Sequence, residues 1–221
     1  MVFQAINAII VREEIKQPQI KFAYPRVEGL SDLKVQQKIN KNIRDLVQEM
    51  IENPQPGGQL PGKPDISGDY KVEVNRNGVL SIRFSEESYV EHAAHPFTRV
   101  DSRTYNLENG QVYELSDLFR PGSDYVARIN ASIKLQFKEK QLPTIREFET
   151  ISNDQNFYLT DTDLVIYFQL YEYTPYYVGI PEFSIPYSSL ADIINPRGPI
   201  AKLYPPPSRD NRPPRIRFGY R

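Results

Sequence analysis

Apolar residues recur at helical spacing in two stretches of the chain, and each stretch predicts an amphipathic helix. In residues 32–52 they are interleaved with charged residues that can face water, and Ser31 just before them is a favourable N-cap. In the second stretch an apolar residue recurs every four positions, from a cap at Ser123 or Asp124 to about Lys140. The apolar positions are Leu33, Ile39, Ile43, Leu46, Val47 and Met50 in the first helix and Tyr125, Ile129, Ile133 and Phe137 in the second.

Alternation of apolar and polar residues predicts a β-hairpin centred on Asn77-Gly78. Residues 70–75 and 80–85 both alternate, and the Asn-Gly pair between them is a tight-turn signal. The second strand can continue to residue 91, and residues 97–107 alternate again. We therefore predict that His92–Pro96 is a turn or kink between two strands.

Shorter runs predict further elements at both ends of the chain. Before the first helix, residues 2–15 and 20–24 form two extended segments separated by Pro18, which cannot donate a hydrogen bond inside a central strand. Further strands are predicted at residues 111–114, 157–160, 164–171, 177–180 and 182–185, and short helices at residues 115–119 and 187–194.

The strands are scattered among two main helices and do not alternate as repeated βαβ units. This order favours an α+β fold with a curved, largely antiparallel sheet over a doubly wound fold. We expect two intimately packed modules, residues 1–91 and 92–195, followed by a proline- and arginine-rich tail at residues 196–221. The proline- and glycine-rich residues 53–64 predict a loop or an inter-lobe connection after the first helix.

The composition is that of a globular protein with an aromatic core. The 15 Tyr and 11 Phe supply large apolar surfaces in a chain without tryptophan. The absence of cysteine excludes disulfides, thiolate metal sites and cysteine nucleophiles. No basic segment precedes the N-terminal apolar run, which Gln4 and Asn7 interrupt, so we predict a strand there and neither a signal peptide nor a membrane span.

Charge is distributed unevenly although the net charge is only −1. Residues 195–221 contain six arginines and Lys202 against Asp210, about +6, so the rest of the chain carries about −7. The tail resists packing because its prolines favour polyproline II and its arginines repel one another. It is either a solubilising end or a contact for nucleic acid, an anionic envelope polymer or the acidic body.

The only two histidines, His92 and His95, are a candidate site. With Glu91, and with Glu86 or Glu87 nearby, they have the residue types of a metal site. However, the flanking pattern is strand and turn, and Pro96 opposes the helix that would bring a His-x-x-His pair together. We therefore favour a structural role in the turn over a metal or catalytic role.

Paired carboxylates are a second possibility, since hydrolysis of sugar polymers needs an acid and a base a few ångströms apart. Their spacing selects no pair, and charged residues on strands are usually solvent-facing. The available residues are Glu86, Glu87, Asp101, Glu172 and Glu182. The sequence also contains no nucleophile elbow, phosphate-binding loop, dinucleotide glycine pattern or His-Glu-x-x-His motif.

The last third of the chain is dense in tyrosine and phenylalanine. Core packing is the expected role of Phe157, Leu164, Ile166 and Phe168. Four tyrosines around Pro175 can instead stack on a glycan or pack against a protein, and a structural role is equally open. They are Tyr171, Tyr173, Tyr176 and Tyr177.

Several of these motifs, in this order, resemble the extracytoplasmic RsiV-type family of bacteria. The motifs are HAAHP at residues 92–96, NG at 109–110, LSDLF at 115–119, FYLT at 157–160, VIYF at 165–168, YEYTPYYVG at 171–179 and FSIPY at 183–187. That family includes the lysozyme-sensing half of the anti-sigma-V factor and the non-catalytic N-terminal part of some peptidoglycan deacetylases. The resemblance covers about residues 10–195, in two consecutive modules meeting near Glu91.

The resemblance implies an α+β recognition domain of the envelope. The printed chain carries no cytoplasmic anti-sigma segment, membrane helix or deacetylase domain, so we expect neither a complete transducer nor that enzyme. We predict a non-catalytic binding module of the bacterial cell envelope or spore that recognises a lysozyme-like protein or peptidoglycan. Its surface would combine Tyr171, Tyr173, Tyr176 and Tyr177 with the loop containing His92 and His95.

The alternative is a metal-dependent or carboxylate hydrolase acting on cell-wall glycan, with Glu91, His92 and His95 at its site. For the leading hypothesis we predict no catalytic residue, no metal, no cofactor, no membrane span and no nucleic-acid partner. The sequence leaves the compartment and the oligomeric state open.

Overall fold

The computed structural model describes residues 6–54 and 62–204, which contain eight strands and three α-helices. The strands are β1 Ile9–Gln17, β2 Ile20–Glu28, β3 Asp65–Arg76, β4 Val79–Tyr89, β5 Phe97–Asn106, β6 Phe157–Leu159, β7 Asp163–Tyr167 and β8 Glu182–Pro186. The helices are α1 Leu33–Glu52, α2 Tyr125–Glu139 and α3 Pro199–Leu203, with 3₁₀ turns at Leu115–Leu118, Tyr176–Val178 and Tyr187–Leu190. None of the helices in these two ranges combines the length and apolar character needed to cross a bilayer.

The strands form two sheets. The first has the order β1-β2-β3-β4-β5, antiparallel except for a parallel pairing of β2 with β3, and the second is an antiparallel β6-β7-β8 sheet. The predicted α+β class with largely antiparallel strands and two main helices is therefore confirmed. The predicted hairpin is β3–β4, and Asn77 and Gly78 both have positive φ, as the tight turn requires.

Helix α1 covers one face of the first sheet. Its apolar stripe, including Ile39, Ile43 and Met50, is fully buried against Phe22 and Phe84 of the sheet. The N-cap is Asp32 and not the predicted Ser31, because the Asp32 carboxylate accepts hydrogen bonds from the backbone N–H groups of residues 34 and 35. The cap therefore lies one residue later than predicted.

Helix α2 packs on the second sheet, where Ile129 and Ile133 are fully buried with Phe168 and Phe183. Polar contacts join the two sheets: the Ser81 hydroxyl accepts from the Leu159 N–H at 3.0 Å, and the Ser102 hydroxyl donates to the Phe157 carbonyl at 2.6 Å. β5 belongs to the same sheet as β4, and the division of the chain near residue 91 stays a prediction.

Three predicted strands are wrong in whole or in part. The strand predicted at residues 164–171 ends at Tyr167, and Tyr171 lies in a left-handed conformation (φ +62°) that no strand continues. Residues 177–180 overlap the 3₁₀ turn Tyr176–Val178, and residues 111–114 form only one bridge, between Val112 and Tyr105. Aromatic and β-branched residues give these loops the composition of strands.

The chain ends differ from the expected pattern where they are described. Residues 199–203, assigned above to the tail, form α3, and its Ile200 and Leu203 are buried in the core of the second sheet. Residues 205–221 of that tail, most of the proline-rich loop and the start of the predicted first strand lie outside the described residues.

Candidate binding surface

The loop between β4 and β5 separates the two histidines. A turn closed by the Ala93 N–H and the Val90 carbonyl at 2.9 Å puts His92 in a left-handed conformation with φ +71°. The His92 side chain is 88% exposed, and its Nε2 lies 3.9 Å from Oε1 of Glu91, which is equally exposed. The predicted turn at residues 92–96 is confirmed, and His92 stands in solvent at its tip.

His95 instead faces a loop 76 residues further along the chain. Its Nδ1 lies 2.9 Å from the Pro96 carbonyl oxygen, and its Nε2 lies 3.1 Å from the Tyr171 hydroxyl. Because a carbonyl only accepts, Nδ1 is the nitrogen that carries hydrogen, and in the neutral ring Nε2 accepts from the hydroxyl. Both ring nitrogens are thus engaged within the protein.

Tyr176 completes the cluster by stacking on the imidazole. The His95 and Tyr176 rings are 3.7 Å apart and 23° from parallel, and the Tyr171 ring lies 6.0 Å from that of Tyr176. The Tyr176 hydroxyl donates to the Pro96 carbonyl at 3.0 Å, so the loop before β5 and the loop after β7 are bonded to each other. We call His95, Tyr171 and Tyr176 the aromatic platform.

Tyr177 and Tyr171 present this region to solvent. Tyr177 is 78% exposed, the highest value among the large apolar side chains described, and Tyr171 is 45% exposed. Tyr177 lies in the same 3₁₀ turn as Tyr176, and Gly179, with φ +77°, ends that turn in a conformation that suits glycine. An exposed phenol therefore stands beside a ring stack that internal hydrogen bonds hold in place.

Tyr173 has a different environment from the other three tyrosines. Its ring makes edge contacts with Phe168 at 4.7 Å and Phe148 at 5.4 Å, and the Arg146 guanidinium lies 4.4 Å from its centre. The ring is partly buried and packs against the core around α2. Tyr173 therefore anchors the loop, while the other three tyrosines line its outer side.

Gln169 fixes the start of this loop to the first sheet. Its side-chain amide accepts from the Val100 N–H at 3.1 Å and donates to the Val100 carbonyl at 2.7 Å, as a neighbouring strand would. The backbone N–H of Gln169 in turn donates to a Glu172 carboxylate oxygen at 2.9 Å. Sequence reasoning missed Gln169, and a single glutamine in an aromatic run gives no signal of this role.

Glu87 is exposed, whereas three of the other candidate carboxylates are held by structural partners. Glu182 accepts from Tyr158 and Arg83, at 3.1 and 3.2 Å, and Glu172 holds the loop described above. Asp101 is bound by Arg103 and also contacts Arg99, and its side chain is 11% exposed. None of these three presents a free carboxylate to a substrate.

Glu86 is the exceptional carboxylate. The residue is 1% exposed, and neither of its carboxylate oxygens has a hydrogen-bond partner among residues 6–54 and 62–204. Burial raises the pKa of Glu86, the charge of Arg99 opposes the rise and the charge of Glu49 adds to it, so that the pKa is about 7. At 1% exposure its side chain offers no open carboxylate to a substrate.

Across residues 6–54 and 62–204, no three side chains of the metal-binding types come together. A cleft of about 550 Å³ does open beside β5, lined by residues 102–104, 112–115 and 153–157, and sequence reasoning did not identify it. Its lining is rich in amide and hydroxyl groups. The arrangement best suited to recognition remains the exposed edge of the aromatic platform, because it combines flat rings with fixed geometry.

The sequence of this chain is similar to known proteins. Residues 116–188 match the family described as "Protein of unknown function (DUF3298)". The chain is 30% identical over 209 residues to the anti-sigma-V factor RsiV of Bacillus subtilis (strain 168), covering 87% of this chain and 71% of the relative.

Two solved structures of DUF3298 proteins share the fold. The protein from Bacteroides fragilis aligns with a TM-score of 0.60 over 91% of this chain and 97% of its own. The protein from Pseudomonas aeruginosa aligns with a TM-score of 0.62 over 92% and 97%. Both are 16% identical to this chain, so the similarity concerns the fold alone.

Proposed function

Because the chain belongs to the RsiV-type family, we propose that it is a non-catalytic, extracytoplasmic binding domain of the bacterial cell envelope or spore. Its ligand is a lysozyme-like protein or peptidoglycan, bound at the aromatic platform and Tyr177. The observation that carries this proposal is the convergence of His95, Tyr171 and Tyr176 from two distant loops beside the exposed Tyr177. Family membership supports the sensing or binding class, and the platform supports the location.

The internal hydrogen bonds of the platform favour tight recognition. The hydroxyls of Tyr171 and Tyr176 are already hydrogen bonded to His95 and to the Pro96 carbonyl. Their rings are therefore held in position before a ligand binds. Ordering a flexible side chain on binding costs about 0.5–1.5 kcal/mol of free energy through lost conformational entropy. Side chains that are already held in position avoid much of this cost. Exposed tyrosines also rank among the side chains that dominate protein interfaces.

Charge favours a protein ligand over the glycan. The sequence outside residues 195–221 carries about −7, and a negative surface attracts a basic protein over long range. Peptidoglycan with free peptide carboxylates gains nothing from that field. A lysozyme-like protein is therefore the ligand that we test first, with peptidoglycan as the second.

The test is calorimetric titration with lysozyme, together with co-sedimentation with insoluble peptidoglycan. Tyr177→Ala should weaken binding about ten-fold or more, because truncating a central interface aromatic costs over about 1.4 kcal/mol. Leu135→Ala is the matched control, since Leu135 is an exposed apolar residue (54%) on α2 and is not part of the platform. Absence of binding to either ligand by the folded protein, or equal binding by the two variants, would reject the proposal.

A further inference from the structure

The two edges of the five-stranded sheet are treated differently by the fold. At the β5 edge, the Gln169 amide occupies both backbone groups of Val100, and the Asp101 carboxylate accepts from the Ser102 N–H at 2.7 Å. Further along, the Tyr113 N–H donates to the Thr104 carbonyl at 2.8 Å. Side chains and the short backbone segment at Tyr113 thus occupy the backbone groups of β5 that an additional strand would need for pairing.

The opposite edge, β1, has no such cover among the described residues. Its nine residues pair with β2 in one unbroken antiparallel register that runs to the two-residue turn at Pro18-Gln19. In a hairpin with a two-residue turn, the closing pair is hydrogen bonded, here Gln17 with Ile20. Bonding then alternates along β1, so the backbone groups of even-numbered residues point away from β2.

The outward groups belong to Ile10, Arg12, Glu14 and Lys16. Within residues 6–54 and 62–204, the only contacts beyond β2 made by the backbone at this end of the chain are those of Ile6 and Ala8, before β1 begins. The Arg12 side chain is 50% exposed and that of Lys16 is 69% exposed. A long, regular and open strand edge is a template for another strand.

We propose that β1 pairs antiparallel with β1 of a second copy of this chain, about a two-fold axis at Glu13. Two copies of the five-stranded sheet then form one continuous sheet. In this register Arg12 lies opposite Glu14 of the second copy, and Glu14 lies opposite Arg12 of the second copy. Val11 lies opposite Ile15 in the same way, so two ion pairs and two apolar pairs form across the axis.

Neighbouring registers lack this complementarity. An axis at Arg12 sets Arg12 against itself, and an axis at Glu14 sets Glu14 against itself and Arg12 against Lys16. A register shifted by one residue would set the outward-facing even-numbered residues of one copy opposite odd-numbered residues of the other. The backbone groups of those odd-numbered residues are already hydrogen bonded to β2. In the favoured register the two Glu13 residues meet, but each is already bound by Arg26 at 2.5 Å and by the Tyr24 hydroxyl at 2.9 Å.

Sedimentation equilibrium over a range of protein concentrations tests the inference on the full chain. The wild-type protein should show a reversible monomer–dimer equilibrium. Arg12→Glu creates two like-charge pairs across the axis and should weaken the dimer about ten-fold or more, since each pair costs up to about 1 kcal/mol. The double variant Arg12→Glu with Glu14→Arg exchanges the charges and should restore the wild-type dimer.

Asp69→Asn is the matched control. It removes the nearer of the two carboxylates that Arg12 contacts within its own chain, Asp69 at 2.8 Å and Glu14 at 3.4 Å, and leaves the strand edge unaltered, so the dimer should persist. Circular dichroism of each variant verifies the fold. A wild-type protein that stays monomeric at every concentration overturns the inference, as does a dimer that Arg12→Glu leaves intact. Loss of the dimer in the double variant, with its fold retained, overturns the proposed register.

Discussion

The imidazole of His95 lies face to face with the phenol ring of Tyr176, with 3.7 Å between the ring centres. The Pro96 carbonyl accepts a hydrogen bond from each of these two residues, so one backbone oxygen holds both rings. The contact joins the β4–β5 loop to the loop after β7. The platform is therefore an interlocked unit, and its members should respond together to substitution.

Tyr177 and Tyr173 should separate ligand binding from folding. Tyr177→Ala should change the free energy of unfolding by less than about 0.5 kcal/mol, because the side chain is mostly exposed. Tyr173→Ala should cost about 2–4 kcal/mol, because it removes a ring packed on Phe148 and Phe168. Urea unfolding of both variants measures the difference, and equal losses would contradict the assigned environments.

Gln169→Ala should destabilise the junction between the two sheets. It leaves the N–H and the carbonyl of Val100 without partners, at a cost of about 2–3 kcal/mol in unfolding free energy. Hydrogen exchange at the Val100 amide should accelerate in the same variant. Gln48→Ala is the control, since the Gln48 amide donates to Glu52 on the exposed face of α1. An unchanged exchange rate at the Val100 amide would show that the Gln169 side chain is dispensable there.

Glu86 should make stability depend on pH. Its pKa is about 7 in the folded protein against 4.5 for the ordinary group, so the folded state binds this proton more tightly than the unfolded chain. The contribution is fully present below pH 4.5 and is lost as the pH rises through about 7. The whole effect is at most about 3 kcal/mol, since each tenfold change in proton affinity is worth about 1.4 kcal/mol.

Glu86→Gln should remove that dependence, because the amide stays neutral like the protonated acid. The variant should match the wild type at low pH and exceed its stability above pH 7, as chemical denaturation at several pH values would reveal. Glu87→Gln on the neighbouring, exposed position is the control. If the unfolding free energies of the wild type and Glu86→Gln changed with pH in the same way, Glu86 would not be the source of the pH dependence.

Gly68→Ala should be strongly destabilising for a steric reason. A Cβ atom at this position would lie 2.2 Å from the ring of Phe22, which is fully buried. Overpacking of this kind costs about 1–3 kcal/mol. The loss should shrink in a Phe22→Ala background, where the ring is absent, and a double-mutant cycle with no coupling would argue against this contact.

Local signals in the sequence predicted most helices and strands. Contacts between residues far apart in the chain could not be predicted from such signals. The β3–β4 hairpin followed from Asn77-Gly78 because the turn and the flanking alternation are both local. The His95–Tyr171 hydrogen bond joins residues 76 positions apart, and no pattern along the chain encodes their meeting. The end of β7 was mispredicted because Phe168 and Leu170 continue the apolar run while the chain already turns toward Gln169 and its contact with β5.

The parallel pairing of β2 with β3 has a consequence for the order of folding. Residues 20 and 66 are partners in this pairing, and α1 lies between them in sequence. Bringing residues 20 and 66 together costs loop-closure entropy if the segment between them is flexible. The cost is smaller once α1 has formed, because fewer flexible residues then separate the two strands. The hairpins on either side need only local closure. We therefore expect the two hairpins to form before β2 pairs with β3. The β2–β3 pairing would follow the docking of α1 and would limit the refolding rate.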